Sequence, residues 1–577
     1  MNDYILNQSG KPNRWIGLFA FLILLVASGR TILLAEDPAA LEPYLRKTTS
    51  WECQTLNKDV PVNIYYITRS THSRPWNIGS PVLVYVKNHG HGRIGTEPDS
   101  SILLDYIKEH YIVITIDFEN DPQAVSPHFD SDLHHLFGAI YKQEEGSLFE
   151  GVNLTPRVYR CFFVPAGCRV ATDLVFWELD KHGANGTLEF IMERYNKKIA
   201  GVVYGKEKVK SPDEMTDRQG RPFQYKLAMD IVYPSMAIKK VPIIVYASTQ
   251  VTRHPNVAPG TYRPHMMGFT MRGYAYAIID HCYDPLRRHF WFNPGDFSLN
   301  PWNGLASNTA AIRYIRANAR KFNIDERYIG AMGHSKGEYT VARLSDPDHI
   351  NQEEQRKFED FSEGSPEPQP NPDYSSRISV GYQSPGNWPQ YVSENDVPTI
   401  VAHGAKDRLG RRYEETFKQL EELDINHVSM LMNDLGHELP HGFDAELGFD
   451  RYRLVHDLFD RYLQVEKNLP PVVLMISPPH QRENVPVSAP VSVQFAPQMD
   501  EISVTDGKSV KVIRLSNNRS VRGSWEISRQ GTKFTFSPRS QFKEGEEYKV
   551  VISIDVKNQA GTQLEGDIYS EFKIEGQ

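Results

Sequence analysis

Cysteine is scarce in this 577-residue chain. There are four, Cys53, Cys161, Cys168 and Cys282, and no two form a Cys-x-x-Cys pair. That excludes a thioredoxin-like dithiol and argues against a cysteine-built zinc site. Cys161 and Cys168 are near enough in sequence to bridge, yet four cysteines allow three pairings, and buried free thiols fit as well. Long runs of one charge sign are missing too, and the formal net charge is −8. A general nucleic-acid binder needs a basic face, so that class is excluded. No repeat of propeller-blade length recurs. Beyond the N-terminus, no apolar stretch approaches the length that spans a bilayer.

The N-terminus carries a distinct signal. Lys11 and Arg14 precede an apolar stretch from Trp15 to Ala27, followed by Ser28 and Gly29. A charged start, a short apolar segment and a small-residue exit describe an export signal over residues 1–29, with Ala27 and Gly29 at the −3 and −1 positions of a cut. An uncleaved N-terminal anchor is the alternative, although Arg30 keeps the run short for a full span. The expected location is secreted, periplasmic or cell-surface, with membrane association through this segment if it is retained. Hydrophobic residues make up 40% of the chain, and its length calls for several domains.

Three regions follow. From Pro470 to the end, short runs alternate apolar and polar residues: Val491, Val493 and Phe495, then Phe534 and Phe536, then Tyr548, Val550, Ile552 and Ile554. Period-two alternation between turn-rich links predicts an all-β sandwich over 470–577. Residues 225–466 instead alternate strands (Leu227–Val232, Val241–Tyr246, Tyr274–Asp280) with helices, one at about Asn308–Phe322 carrying Ile312, Ile315, Ala319 and Phe322 on one stripe. That pattern predicts a mostly parallel sheet with helices on both faces. Residues 40–224 are less regular. Their strands PVLVYVKN and YIVITIDF look like VPIIVYAS and YAYAIIDH further on, with Asp117 and Asp280 in equivalent strand-end places. Two readings stay open there: a degenerate half-repeat of the sheet, or the general likeness of any two strand–helix–strand units.

The chemistry concentrates at Gly333-His334-Ser335-Lys336-Gly337, which fits Gly-x-Ser-x-Gly. A strand (Tyr328–Met332) precedes it and a helix from Lys336 to about Leu344 follows, the strand–turn–helix setting that exposes a serine above a sheet. A serine hydroxyl needs a base, and the base an orienting acid. Asp407, in TIVAHGAKDRLG, and His437, in NDLGHELP, follow in the order Ser, Asp, His, each after a strand. Ser335 would attack, His437 would carry the proton and Asp407 would hold the imidazole. Asp434 rivals Asp407, and His403, His427 and especially His441 rival His437. For the oxyanion, the N–H of Lys336 is one expected donor and Ser248 or Thr249 the other. The NHGHG turn at His89–Gly92 is an alternative source, or a plain glycine-rich turn. Trp291, Phe292 and Trp302, with Phe297, sit in a loop expected to border the pocket, where they would bind substrate or pack on their own domain.

Two family resemblances rest on these residues. ISPPHQRENVPVSAPVSVQFAPQMD, KFTFSPRSQFKEGEEYKVVIS and VKNQAGTQLEGD resemble the bacterial Ig-like domain, which implies a spacer, docking or adhesion module. AAIRYIRANARKFNIDERYIGAMGHSKG, VPTIVAHGAKDRLG and GHELP resemble the α/β-hydrolase superfamily, nearest its dienelactone-hydrolase and acetyl-esterase-like branches. This resemblance implies carboxylic-ester hydrolysis through an acyl-enzyme, without metal or organic cofactor; the expected substrate is a small-molecule or polysaccharide ester, the carbohydrate by analogy with the architecture of an exported esterase bearing an Ig-like domain. The sequence departs from it twice: Glu338 follows Gly337 where many members have a small residue, and VPIIVYAS lacks the usual His-Gly oxyanion turn. The expected fold class is therefore an α/β-hydrolase sheet, an additional N-terminal α/β region and a C-terminal Ig-like sandwich. A peptidase of the same fold and a non-catalytic binding or adhesion protein are the alternative functions.

Overall fold

The computed structural model describes residues 41–53, 57–66, 82–89, 100–108, 112–121, 161–165, 168–178, 226–234, 239–247, 269–270, 272–279, 300–346, 371, 373–408, 412–437, 443–444, 449–528 and 530–576. The expected export signal lies outside them. So do Ser248, Thr249, Trp291, Phe292, Phe297, Cys282 and His441. Among the described residues no helix is long and apolar enough to cross a membrane.

The first sheet contains β1 (Leu45–Cys53), β2 (Lys58–Tyr65), β3 (Val82–His89), β4 (Ile112–Asp121) and β5 (Cys161–Pro165), with helix α1 (Ser100–Lys108) between β3 and β4. Its order is β1-β2-β4-β3-β5. The second sheet contains β6 (Cys168–Glu178), β7 (Lys226–Pro234), β8 (Val241–Ala247), β9 (Ala275–Ile279), β10 (Ile324–His334), β11 (Val380–Ser384), β12 (Thr399–Gly404) and β13 (His427–Met432). Its order is β13-β12-β11-β10-β8-β9-β7-β6. Strands β8 to β13 pair with one another in parallel, whereas β7 is antiparallel to both β6 and β9. Strands buried on both faces lose the alternation of half-exposed ones, and VPIIVYA in β8 is buried at every position.

The helices of this sheet are α2 (Asn300–Ala317), α3 (Lys336–Leu344), α4 (Tyr413–Glu422) and α5 (Arg451–Leu463). Gly330 of β10 faces Phe459 and Leu463 of α5, while Gly381 of β11, paired beside Ala331, faces Val341 of α3. Adjacent strand residues point to opposite faces, so α3 and α5 cover opposite sides.

Two expectations change here. The boundary at residue 225 falls inside the second sheet, because β6 lies before it and pairs with β7 along its length. Residues 179–225 separate the two strands, and periodicity alone carries no sign of pairing across such an interval. The helix expected at 308–322 begins earlier, at Asn300, so Trp302 lies in its first turn rather than in the preceding loop. Pro301 is compatible with that turn, where its missing N–H has no intrahelical acceptor to lose.

The order and sense of the first sheet repeat those of the opening five strands of the second. In β1-β2-β4-β3-β5, as in β6-β7-β9-β8-β10, the second strand in sequence is antiparallel to both neighbours and the remaining pairs are parallel. Tyr106 of α1 joins the two units. Its hydroxyl donates to the Val170 carbonyl at 3.0 Å and accepts from the Val170 N–H at 2.9 Å, closing part of the β6 edge. Cys168, at the start of β6, is a buried free thiol and so forms no bridge to Cys161.

After the short pair β14 (Phe443–Asp444) and β15 (Phe449–Asp450) comes a C-terminal sandwich. One sheet joins β16 (Val472–Ser477), β18 (Val491–Ala496), β22 (Lys533–Pro538) and β21 (Gly523–Ile527). The other joins β17 (Arg482–Val485), β24 (Ile568–Ile574), β23 (Glu547–Ile552), β19 (Val510–Arg514) and β20 (Arg519–Ser520). Val491, Val493, Phe495, Phe534, Phe536, Tyr548, Val550 and Ile552 fill the space between. The sandwich packs on the α/β unit: Leu474 and Ala496 belong to the same buried cluster as Leu458 and Phe459. Gln494 donates to the His427 carbonyl and, at 3.3 Å, to Asn426 Oδ1, and the Asn426 N–H donates to Gln530 Oε1 at 2.9 Å.

Candidate active site

Parallel strands bring their C-terminal ends to one edge of a sheet, where open α/β folds place ligands. Gly333 stands beside Ala247 at the end of β8, and His334 beside Ser384 at the end of β11. Ser335 follows His334 directly and precedes α3. Its backbone, at φ 58° and ψ −111°, lies where a non-glycine residue is strained. The turn is also crowded. A Cβ on Gly333 would meet the Gly337 carbonyl oxygen at 2.3 Å, and one on Gly337 would meet the Ala247 oxygen at 2.1 Å. Both glycines of Gly-x-Ser-x-Gly are thus demanded by close approach. The Ser335 N–H donates to the Ser384 carbonyl at 2.7 Å. Lys336 opens α3, where the first N–H groups have no acceptor within the helix.

Asp407 follows β12 and His437 follows β13. Nδ1 of His437 lies 2.6 Å from Oδ2 of Asp407. The carboxylate side chain is 2% exposed and the imidazole 29%, so the acid is enclosed while the base still reaches solvent. Backbone bonds hold the two loops together: Ala405 N–H to Met432 O at 2.9 Å and Lys406 N–H to Leu435 O at 2.9 Å. The His437 ring also packs on that of His334, centroids 4.9 Å apart. Among the described residues the His437 side chain makes its hydrogen bond to Asp407 and none to the Ser335 hydroxyl.

The rivals have other partners. Asp434 pairs with Arg451 of α5 at 2.5 Å. His403 stacks on Tyr413 at 3.8 Å and its Nδ1 lies 2.9 Å from the Pro385 carbonyl, while burial holds its pKa below the ordinary value. His427 is buried, with Nδ1 2.7 Å from the Ile425 carbonyl and Nε2 3.5 Å from Glu421.

Sequence reasoning missed the partners of Glu338. Its buried carboxylate accepts from the Asn387 N–H at 2.7 Å. Burial pushes its pKa up to about 8, against the Asn387 and Gly386 N–H groups and the Trp388 indole, which favour the charge. The signal was present in the sequence, since a glutamate stands where a small residue is usual. Among the described residues no three His, Cys, Asp or Glu side chains are grouped to hold a metal ion.

Comparison with known proteins gives one family match: residues 467–573 match the bacterial Ig-like domain. The chain therefore carries such a domain at its C-terminus. No curated protein matches the chain. Among solved structures, the surface-layer protein SbsC, domains 1–6, is 21% identical over 20% of this chain, with a TM-score of 0.16, and the match spans 16% of that protein's length. A carbohydrate esterase from gut microbiota, in truncated form, is 16% identical over 36% of this chain and 83% of its own, with a TM-score of 0.26. An acetyl ester-xyloside bifunctional hydrolase from Caldicellulosiruptor lactoaceticus is 14% identical over 48% of this chain and 89% of its own, with a TM-score of 0.29. At these scores none of them assigns an activity to this chain.

Proposed function

We propose that the chain is an exported serine hydrolase of the α/β-hydrolase fold that cleaves a carboxylic ester through Ser335, His437 and Asp407. The observation that carries this reading is the His437–Asp407 hydrogen bond of 2.6 Å beside a strained serine at φ 58°. The strand order and the single antiparallel β7 support the fold assignment. Ser335 Oγ attacks the ester carbonyl carbon while His437 Nε2 takes its proton. Asp407 accepts from Nδ1–H, which fixes the tautomer and stabilises the imidazolium. The oxyanion is held by the Lys336 N–H and by a second donor after β8, for which Ser248 and Thr249 are the candidates. The tetrahedral intermediate collapses as the alcohol oxygen leaves with the proton from His437. Water, deprotonated by the same imidazole, then releases the acid and restores Ser335.

The substrate we propose is an ester borne on a carbohydrate polymer, because an Ig-like module behind an export signal suits work outside the cell. No metal or organic cofactor enters this scheme. The test is hydrolysis of short-chain nitrophenyl esters by the full chain beside Ser335→Ala, together with labelling by a fluorophosphonate. Turnover and labelling by the wild type, both lost in the variant, support the triad. A wild type silent in both assays removes it and leaves a binding protein on a hydrolase scaffold.

A further inference from the structure

The backbone of Ser335, at φ 58°, is strained, and such residues persist only where their surroundings over-determine them. The glycines above supply one side of that constraint. The other side is the segment from Ser384, the last residue of β11, to Trp388. Ser384 accepts from the Ser335 N–H. Three side chains fasten the rest of the segment. His403 of β12 meets the Pro385 carbonyl at 2.9 Å, Thr416 of α4 donates to the Gly386 carbonyl at 2.6 Å, and Glu338 of α3 accepts from the Asn387 N–H at 2.7 Å. Glu338 is the only one of the three that comes from the helix Ser335 begins. His403 belongs to the strand that leads to Asp407. One segment therefore touches the nucleophile's backbone, its helix and the acid's strand.

We propose that Glu338 is a positioning residue for the serine chemistry: its carboxyl oxygen clips the first turn of α3 to the Ser384–Trp388 segment and so holds Ser335 and the Asp407 loop in register. This inference rests on Ser335 being the nucleophile. Burying a carboxyl is costly unless its acceptor sites are used, and nothing about helix formation asks for it here. An alanine or glycine would satisfy the crowding at the elbow, but neither could reach across to Asn387. Misplacement by about 1 Å costs an enzyme on the order of 100-fold in rate.

The experiment compares full-length wild type, Glu338→Ala, Glu338→Gln and Ser335→Ala. It reads kcat and KM on a nitrophenyl ester, the rate of fluorophosphonate labelling, and thermal unfolding to show that each variant is folded. The amide oxygen of Glu338→Gln can still accept from Asn387, so this variant should stay within about 3-fold of wild type. Glu338→Ala should lose about 10- to 100-fold in kcat and in labelling rate, with KM changed by less than about 3-fold. Should Glu338→Ala fail to fold, Glu338→Asp puts the same question, because its carboxyl is withdrawn by one methylene. About a 10-fold loss is expected there. Wild-type kcat in a folded Glu338→Ala or Glu338→Asp, or a Glu338→Gln as impaired as the alanine variant, overturns the positioning role and leaves the triad standing. A wild type that neither turns over nor labels overturns the triad and this role together.

Discussion

His437 and Asp407 meet through a single hydrogen bond, Nδ1 to Oδ2 at 2.6 Å, between loops that follow neighbouring parallel strands. The enclosed carboxylate faces a ring that stays open to solvent, so the pair can fix one imidazole nitrogen and leave the other to work. Asp407→Asn keeps the size but loses the negative charge and puts an NH2 donor in place of one carboxylate oxygen, so the tautomer with Nδ1–H is no longer selected. We expect it to fold with an unchanged melting temperature and to lose about 10³- to 10⁴-fold in kcat with little change in KM. Steady-state kinetics on a nitrophenyl ester check this. A loss below about 10-fold would take Asp407 out of the triad.

Gly337 offers a test of the elbow that does not touch the chemistry. Its missing Cβ is what lets the turn lie against the Ala247 carbonyl, and backbone on both sides leaves no flexible partner to give way. Gly337→Ala should destabilise the fold by about 3 kcal/mol. Urea unfolding of the two proteins measures the difference. A change under about 0.5 kcal/mol would mean that the elbow is looser than the structure has it.

Much of the candidate site was legible because its parts are local. A tight strand-to-helix turn writes itself as two glycines around a serine, and loops after apolar strands can be read one at a time. Glu338 was visible only as an oddity, since its partner Asn387 is brought near by the pairing of β10 with β11. Asp434 could be set aside only by seeing Arg451, which a separate helix supplies. The fold was read in the same uneven way. Alternation marked the sandwich strands, whereas the membership of β6 in the larger sheet depends on pairing with β7 across a long interval. The likeness of PVLVYVKN to VPIIVYAS matches strands that hold the same place in sheets of the same order, β3 and β8. We propose the half-repeat reading from that coincidence. In the first sheet, Cys168 and β6 follow β5 almost at once, where in the second sheet the elbow follows β10.

Cys168 lies at the link from β5 to β6. Burial pushes its thiol up to about 12, so at neutral pH it is protonated and shielded. Mass spectrometry after alkylation at pH 8 should find Cys168 unmodified in the folded protein and modified once the chain is unfolded in guanidinium. Rapid labelling of Cys168 in the folded protein would show that the join between the two sheets opens readily.

The sandwich is set against the α/β unit by polar contacts as well as apolar ones, and this makes the join sensitive to acid. Glu421 of α4 faces His427 of β13 and Lys533 of β22. The hydrogen bond with His427 first, then the Lys533 ammonium, hold its carboxyl down to about 2 from an ordinary 4.5. A carboxylate whose pKa is depressed on folding adds stability above its unfolded value and loses it as the pH falls toward its folded value. The contribution of Glu421 should therefore be complete above about pH 5 and fade between about pH 4.5 and pH 2. Glu421→Gln removes the charge at every pH. Its melting temperature should lie below that of the wild type at pH 6, and the two curves should converge as the pH approaches 2. Salt should narrow the gap at pH 6, because Glu421 is half exposed and its attraction to Lys533 is screened. Melting curves taken at pH 6, 4 and 2.5, with and without added salt, decide the matter. A gap that stays constant across the pH range would mean that Glu421 acts at this join through its shape rather than its charge.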